Sequence, residues 1–169
     1  LFEYRDLFRF WIWRSIRARY AQSILGVGWA VIQPLFSTVV FTIIFGNLVK
    51  IDSNGVPYAI FSFAALVPWT FFANSVTEST GSLVQNANMI TKIYFPRLVI
   101  PISAVIGGLV DFVIAFAVFL VLMVGYGLPF SWHIVALPIL VLLAMVTALA
   151  CGLWLSALNV LYRDVQYII

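Results

Sequence analysis

The stretch RFWIWRSIRARYAQSILGVGWAVIQPLFSTVVFTIIFGNLV, residues 9–49, decides the fold class. Its first half belongs to a basic and aromatic collar, since Arg5, Arg9, Arg14, Arg17 and Arg19 all fall within residues 1–20, and from residue 21 to residue 49 no charge follows. Arginines interleaved with large aromatics hold to lipid headgroups. Crossing a hydrocarbon core of ~30 Å takes roughly 20 helical residues, which the uncharged run exceeds. The sequence therefore describes a chain that rests on a membrane surface and then enters the bilayer. A secretory signal does not fit, because the run is about twice the length of a signal's apolar region and no small-residue cleavage site precedes the next apolar segment.

Working outward, the whole composition agrees. Of the 169 residues 64% are hydrophobic and 9% are charged, and the mean hydropathy is +1.10. So few charges cannot cover the surface of a water-soluble domain of this length. The single cysteine, Cys151, cannot close an internal disulfide, and with one histidine, His133, it cannot build a structural zinc site. There is no Gly-rich phosphate loop with its Lys, no zinc-protease pattern, and the six acids are scattered, so neither ATP hydrolysis nor metal chemistry is expected of this chain. The basic cluster adjoins a span and reads as a topology and headgroup feature, which leaves nucleic-acid binding without support.

Charges divide the chain into uncharged runs at 21–49, 53–77, 98–110 and 112–162, the last interrupted only by His133. The first two hold one span each. The region after 102 is too long for one and is divided by Gly125, Gly127, Pro129 and Ser131. The expectation is an all-α integral membrane protein forming a single domain over 1–169: an interfacial helix at 1–22, spans at 29–48, 58–77, 102–126 and 134–159, and a short helix at 82–95. Eight of the nine basic residues lie on one side of those spans and Lys50 alone on the other. The positive-inside rule then places the N-terminus, the 78–97 loop and the C-terminal end in the cytoplasm. Because the chain begins at Leu1 and stops at Ile169 just after a charged cluster, it is read as an incomplete subunit.

Two segments outside the spans carry helical patterns. In the collar, Arg5 and Arg9 sit one turn apart among Phe2, Phe8, Trp11 and Ile12, which describes an amphipathic helix in the headgroup layer. Surface anchoring suffices to explain it, although its arginines could also meet phosphate at a docking or substrate-access surface. In the 78–97 loop, Ser82 and Gln85 have capping-box spacing, Leu83, Ala87, Ile90 and Tyr94 share one face, and Pro96 disfavours helix at Phe95. This segment is either an interfacial connector or a rigid lever that a cytoplasmic partner could push.

Within the spans, Ala144, Ala148, Gly152 and Ser156 form a small-residue ridge, and Ser103 and Gly107 share the face that reaches Asp111. Small residues let helices approach closely, so both are read first as packing faces. Asp111 is the only carboxylate well inside an apolar stretch and must face the bundle, be protonated or find a partner. An interhelical hydrogen bond is favoured over a proton relay, because neither a base nor a second acid stands at similar depth in the sequence. Trp29, Phe36, Tyr58, Phe61, Trp69 and Phe72 crowd the first two spans. Aromatic belts account for them individually, while as a group they are candidates to line a channel in which sugar rings slide over aromatic faces. Pro68 is expected to bend the second span.

The runs at 9–35, LVPWTFFANSV at 66–76, NANMITKIYFPRLVIP at 86–101 and LNVLYRDVQYI at 158–168 together resemble the permease subunits of bacterial type-2 ABC exporters that move O-antigen, capsular polysaccharide or teichoic acid. The resemblance extends along essentially the entire chain and is specific for the family more than for the polymer. It implies a six-span permease of the bacterial cytoplasmic membrane, working as a homodimer with two cytoplasmic ATPase subunits that carry ATP and Mg, while the permease binds no cofactor itself. It further implies that the segment holding Asn86, Asn88, Met89, Ile90, Lys92, Tyr94, Phe95 and Arg97 is the coupling helix seated in the ATPase, and that Arg14, Arg17 and Arg19 lie near the lipid-linked polysaccharide or the ATPase.

The expected function is therefore the transmembrane subunit of an ATP-driven exporter of lipid-linked polysaccharide. A permease of the same superfamily exporting small molecules or drugs would have a narrower, non-aromatic cavity. A membrane-embedded glycosyl or acyl transferase would require an acid or histidine constellation at the membrane surface, which this segment lacks.

Overall fold

The computed structural model describes residues 5–20, 28–49, 53, 55–90, 96–129, 132, 136–162 and 164–165. Its elements are all helical: α1 (Arg5–Tyr20), α2 (Gly28–Phe41) continued by a π-helical segment (Thr42–Leu48), α3 (Tyr58–Gln85), α4 (Ala87–Ile90), α5 (Val99–Gly125) and α6 (Leu137–Leu161). Four of these, with α2 counted together with its continuation, are long and apolar enough to cross a membrane. Hydrocarbon offers backbone groups no hydrogen-bond partners, so a chain of this composition satisfies them within helices.

Helix ends follow local chemistry more than the charges that suggested the spans. The second span was expected to stop at residue 77, before Glu78, with a separate helix starting at Ser82. Instead α3 runs unbroken through Pro68 and past Glu78 to Gln85. A charge does not end a helix whose side chain has a polar cavity to face. Ser82 consequently lies inside α3, where its hydroxyl donates to the Ser79 carbonyl at 2.7 Å, and it caps nothing. The helix ends one turn later at Asn86, whose side-chain amide donates back to the Ser82 carbonyl at 2.8 Å. Beyond that cap α4 is a single turn, and residues 91–95, including Lys92, Tyr94 and Phe95, are outside the described residues.

At the other boundaries α5 starts three residues before the expected 102, with Pro101 in its first turn, where a missing N–H leaves no intrahelical bond unmade. The helix ends at Gly125 as the turn residues predicted. Gly127 has φ +67 and donates its N–H to the Val124 carbonyl at 3.0 Å, closing the last turn in a conformation that favours glycine. The last span begins at Leu137 with proline near its start; residues 133–135, which include His133, are outside the described residues.

α3 is the axis of the bundle. It packs along both α5 and α6, which touch each other far less, and α2 lies against α3 and α5. Toward its start the contacts are apolar: Phe63, Val67 and Phe71 meet Val105, Phe112 and Ala115. Phe71 stands edge-on to Phe112 at 5.4 Å, and Phe116 and Phe119 continue the row to Phe63. Toward α4 the character changes, because Ser75, Ser79, Thr80 and Ser82 of α3 are buried together with Ser103 of α5 and Ser156 and Asn159 of α6. Lipid is as apolar as leucine, so close approach of small residues and interhelical hydrogen bonds hold such an end together. Gly152 is the tightest point: a Cβ there would stand 2.5 Å from Ser79 Oγ and 2.6 Å from its Cβ.

α1 packs along α5. Trp11 is buried against Val99 and Ile100 in a cluster joined by Phe8, Leu83, Met89 and Ile90, while Arg9, Phe10, Trp13 and Arg17 remain exposed. Over residues 5–20 one side of the helix, with Trp11, is buried, and the exposed side combines arginines with Phe10 and Trp13; residues 1–4 and 21–22 are outside the described part.

Candidate functional site

On α3 the residues Phe71, Asn74, Glu78, Ser82 and Gln85 recur every three or four positions, the spacing of neighbours along one side of a helix. That side borders two cavities that share Glu78. The cavity nearer α4, about 440 Å³, lies among Trp11 and Arg14 of α1, Glu78, Ser82 and Gln85 of α3, and Ser103 of α5. The cavity farther from α4, about 230 Å³, lies among Tyr20, Gln33, Asn74, Glu78, Asp111 and Thr70. α5 supplies the facing wall with Ala104, Gly108 and Asp111, which again follow helical spacing, and with Ser103 beside Ala104. Helix periodicity on α3 thus runs a polar seam from Asn74 to Gln85 along both cavities, among apolar neighbours such as Val67, Phe71 and Phe112.

Asp111 is half-buried, and the Tyr20 hydroxyl donates to its Oδ1. This is the interhelical hydrogen bond expected of a carboxylate within an apolar span, and its donor comes from α1. Sequence reasoning had Asp111 as the sole acid there; Glu78, on the wall of the same cavity, is a second. From the sequence Glu78 reads as the start of a loop because it ends an uncharged run. The signal that could have found it is the polar stripe Asn74, Glu78, Ser82 and Gln85, which continues the α3 helix past the charge.

Arg14 is committed on two sides. Its Nη1 donates to Met89 Sδ at 2.9 Å, and its guanidinium lies 4.7 Å from the centre of the Trp11 ring. A guanidinium suits this position because it stacks on an aromatic face while its planar N–H groups remain available. Arg17 is exposed, and the side chain of Arg19 is outside the described residues. Arg14 is thus half-buried against α4 while Arg17 faces outward from α1.

Of the residues assigned to coupling, Asn86 caps α3, Met89 and Ile90 pack beneath Trp11, Asn88 is exposed on α4, and Arg97 is exposed in the turn leading to α5. The channel candidates separate into three groups. Trp29 borders the cavity of Asp111, Tyr58 and Phe61 pair at 5.9 Å at the start of α3, and Trp69 and Phe72 pair at 6.2 Å midway along it. Phe36 stands 69% exposed on α2, and Trp69 63% exposed on α3, so within one copy of the chain these rings enclose no channel. Most of the small residues read as packing faces are buried. Gly107 is buried on α5, and Ala148, Gly152 and Ser156 are buried on the side of α6 that contains the Ser79 contact, with Ala144 half-buried one turn earlier. Asn159 extends this ridge and donates to the Thr80 carbonyl at 3.2 Å.

Chemically, the seam offers hydroxyls, carboxamides and two carboxylates, with one guanidinium near α4.

Comparison with known proteins places these features in a family context. A family model described as ABC-2 type transporter matches residues 6–169. The chain is 33% identical over 169 residues to the O-antigen export system permease protein RfbA of Myxococcus xanthus, covering all of this chain and 64% of that protein. It is 30% identical over 155 residues to a protein of the same name from Klebsiella pneumoniae, covering 90% of this chain and 59% of that protein. With the polysialic acid transport protein KpsM of Escherichia coli it shares 25% identity over 145 residues, covering 84% of this chain and 55% of the relative. The chain thus spans less than two thirds of the length of each of these relatives.

Proposed function

Because the chain belongs to the ABC-2 type transporter family, we propose that it is the transmembrane subunit of an ATP-driven exporter that moves lipid-linked polysaccharide across the bacterial cytoplasmic membrane. The observation that carries the reading is its 33% identity, over every residue, with a permease named for O-antigen export. ATP and Mg would bind to a separate cytoplasmic subunit, two copies of which would serve a homodimer of the permease. Its N-terminus, α4 and the C-terminal end would face that subunit, a reading supported by the distribution of basic residues.

The segment from Asn86 to Arg97 would receive the push of ATPase closure. The placement of its described residues supports that role, since Met89 and Ile90 pack beneath Trp11 with Val99 and Ile100 and Asn86 ends α3, so displacement there acts on three helices. The exposed aromatics Trp29, Phe36, Phe61 and Trp69 would meet a second copy of the chain and the passing glycan, whose C–H faces slide over rings without tight binding. Arg17 and Arg19 would meet lipid phosphate at the surface.

The test is co-purification of the full-length permease with its ATPase subunit, comparing wild type with a variant carrying Met89→Ala, Lys92→Ala and Tyr94→Ala. Capture by the wild type, lost or uncoupled in the variant, is the expected result. An intact permease that captures no ATPase would overturn the assignment.

A further inference from the structure

We propose that α1 is a strut that carries displacement of α4 to Asp111 in the interior of the bundle, with Arg14 as the receiving residue and Tyr20 as the delivering one. The inference rests on the exporter reading above and adds to it a second route of coupling, beside the direct connection of α4 to α3 and α5.

The geometry has two fixed points on one short helix. At the first, Arg14 Nη1 donates to Met89 Sδ at 2.9 Å while the guanidinium stacks over Trp11, and Trp11 is itself buried with Val99 and Ile100. At the second, the Tyr20 hydroxyl donates to Asp111. Nine residues of helix, a rise of ~14 Å, separate Trp11 from Tyr20, and their partners Val99 and Asp111 are ~18 Å apart along α5. The length of the tyrosine side chain takes up much of the remaining distance. Both ends are anchored by directional contacts, and the outer face with Arg9, Trp13 and Arg17 is exposed. A stiff element held at two points transmits a shift at one to the other.

Asp111 is the position where such a shift has an effect. It shares its cavity with Glu78, Asn74 and Gln33, which come from α3 and α2. Drawing the tyrosine hydroxyl away removes a donor from a carboxylate in a low-dielectric surrounding and changes what the facing helices must supply. Movement at α4 thereby reaches α2, whose direct contacts are with α3 and α5. Arg14 and Tyr20 act through other residues and are positioning residues.

The experiment uses the full-length permease with its ATPase in lipid nanodiscs and reads polymer exported per ATP hydrolysed. That ratio is insensitive to how much complex has folded. Tyr20→Phe deletes one oxygen and keeps the ring; it is expected to lower the ratio about fivefold or more. Arg14→Met is expected to lower it similarly, and Arg14→Lys to restore little of it because lysine lacks the planar fork. Since the two residues lie on one route, the double variant is expected to be no worse than the more impaired single variant. An unchanged ratio in Tyr20→Phe, or effects that multiply in the double variant, would overturn the strut while leaving the exporter reading standing. A wild-type complex that hydrolyses ATP but moves no glycan would sink the exporter reading and the strut with it.

Discussion

Gly152 shows how much a single residue type decides in this bundle. Its neighbour across the α3 and α6 contact is Ser79, close enough that even a methyl group on Gly152 would overlap the serine Oγ and Cβ. The partner is a helix flank and not the tip of a flexible chain, so a Gly152→Ala chain must separate the helices or distort one. The expected cost is ~1–3 kcal/mol, read as a lower thermal midpoint of the purified protein in detergent. Ser79→Gly in the same chain should recover most of the loss, since it removes the Cβ and Oγ in the way. A substitution that merely exchanged helix propensity would show no such recovery. This contact was legible in advance because Ala144, Ala148, Gly152 and Ser156 repeat at intervals of four. The face opposite it was not, because serines on α3 have no single period that marks them as its partners.

At the scale of elements, the sequence located each span but misplaced where the second one stops. Uncharged runs measure what lipid tolerates, whereas helix ends are set by backbone hydrogen bonds and caps. The two diverge at Glu78, where a charged side chain borders a cavity and the helix continues to Gln85. Asn86 is the true terminus, its amide bonded to the Ser82 carbonyl at 2.8 Å. Asn86→Ala should fray the last turn of α3, at ~1 kcal/mol, and raise amide hydrogen exchange at residues 83–86 while leaving the middle of α3 unchanged. Equal exchange in both proteins would show that the cap holds nothing. α5 was easier to bound at its C-terminal end, where Gly125 and Gly127 announce the turn, than at its start, which lies three residues before the expected 102.

For the whole molecule, α3 is the member that the other spans share, and α1 attaches to the bundle chiefly through α5. No periodicity in α1 reveals that attachment, because Tyr20 and Asp111 are 91 positions apart in the chain. The same separation sets an order of events during synthesis. When α1 and its arginines leave the ribosome, the helix they will dock on does not yet exist; two further spans must be made first. Until α5 is made, α1 lacks its main docking surface, and the collar has a waiting period in which lipid headgroups hold it. Nascent chains arrested after residue 90 should leave Arg14 and Arg17 open to a protease that cuts at arginine, whereas chains carried through residue 125 and into the membrane should protect Arg14 and leave Arg17 accessible. Equal cutting at both arginines in the longer chain would mean that docking waits for still later segments, and the maturation of this protein would then be timed by its end and not by its fifth helix.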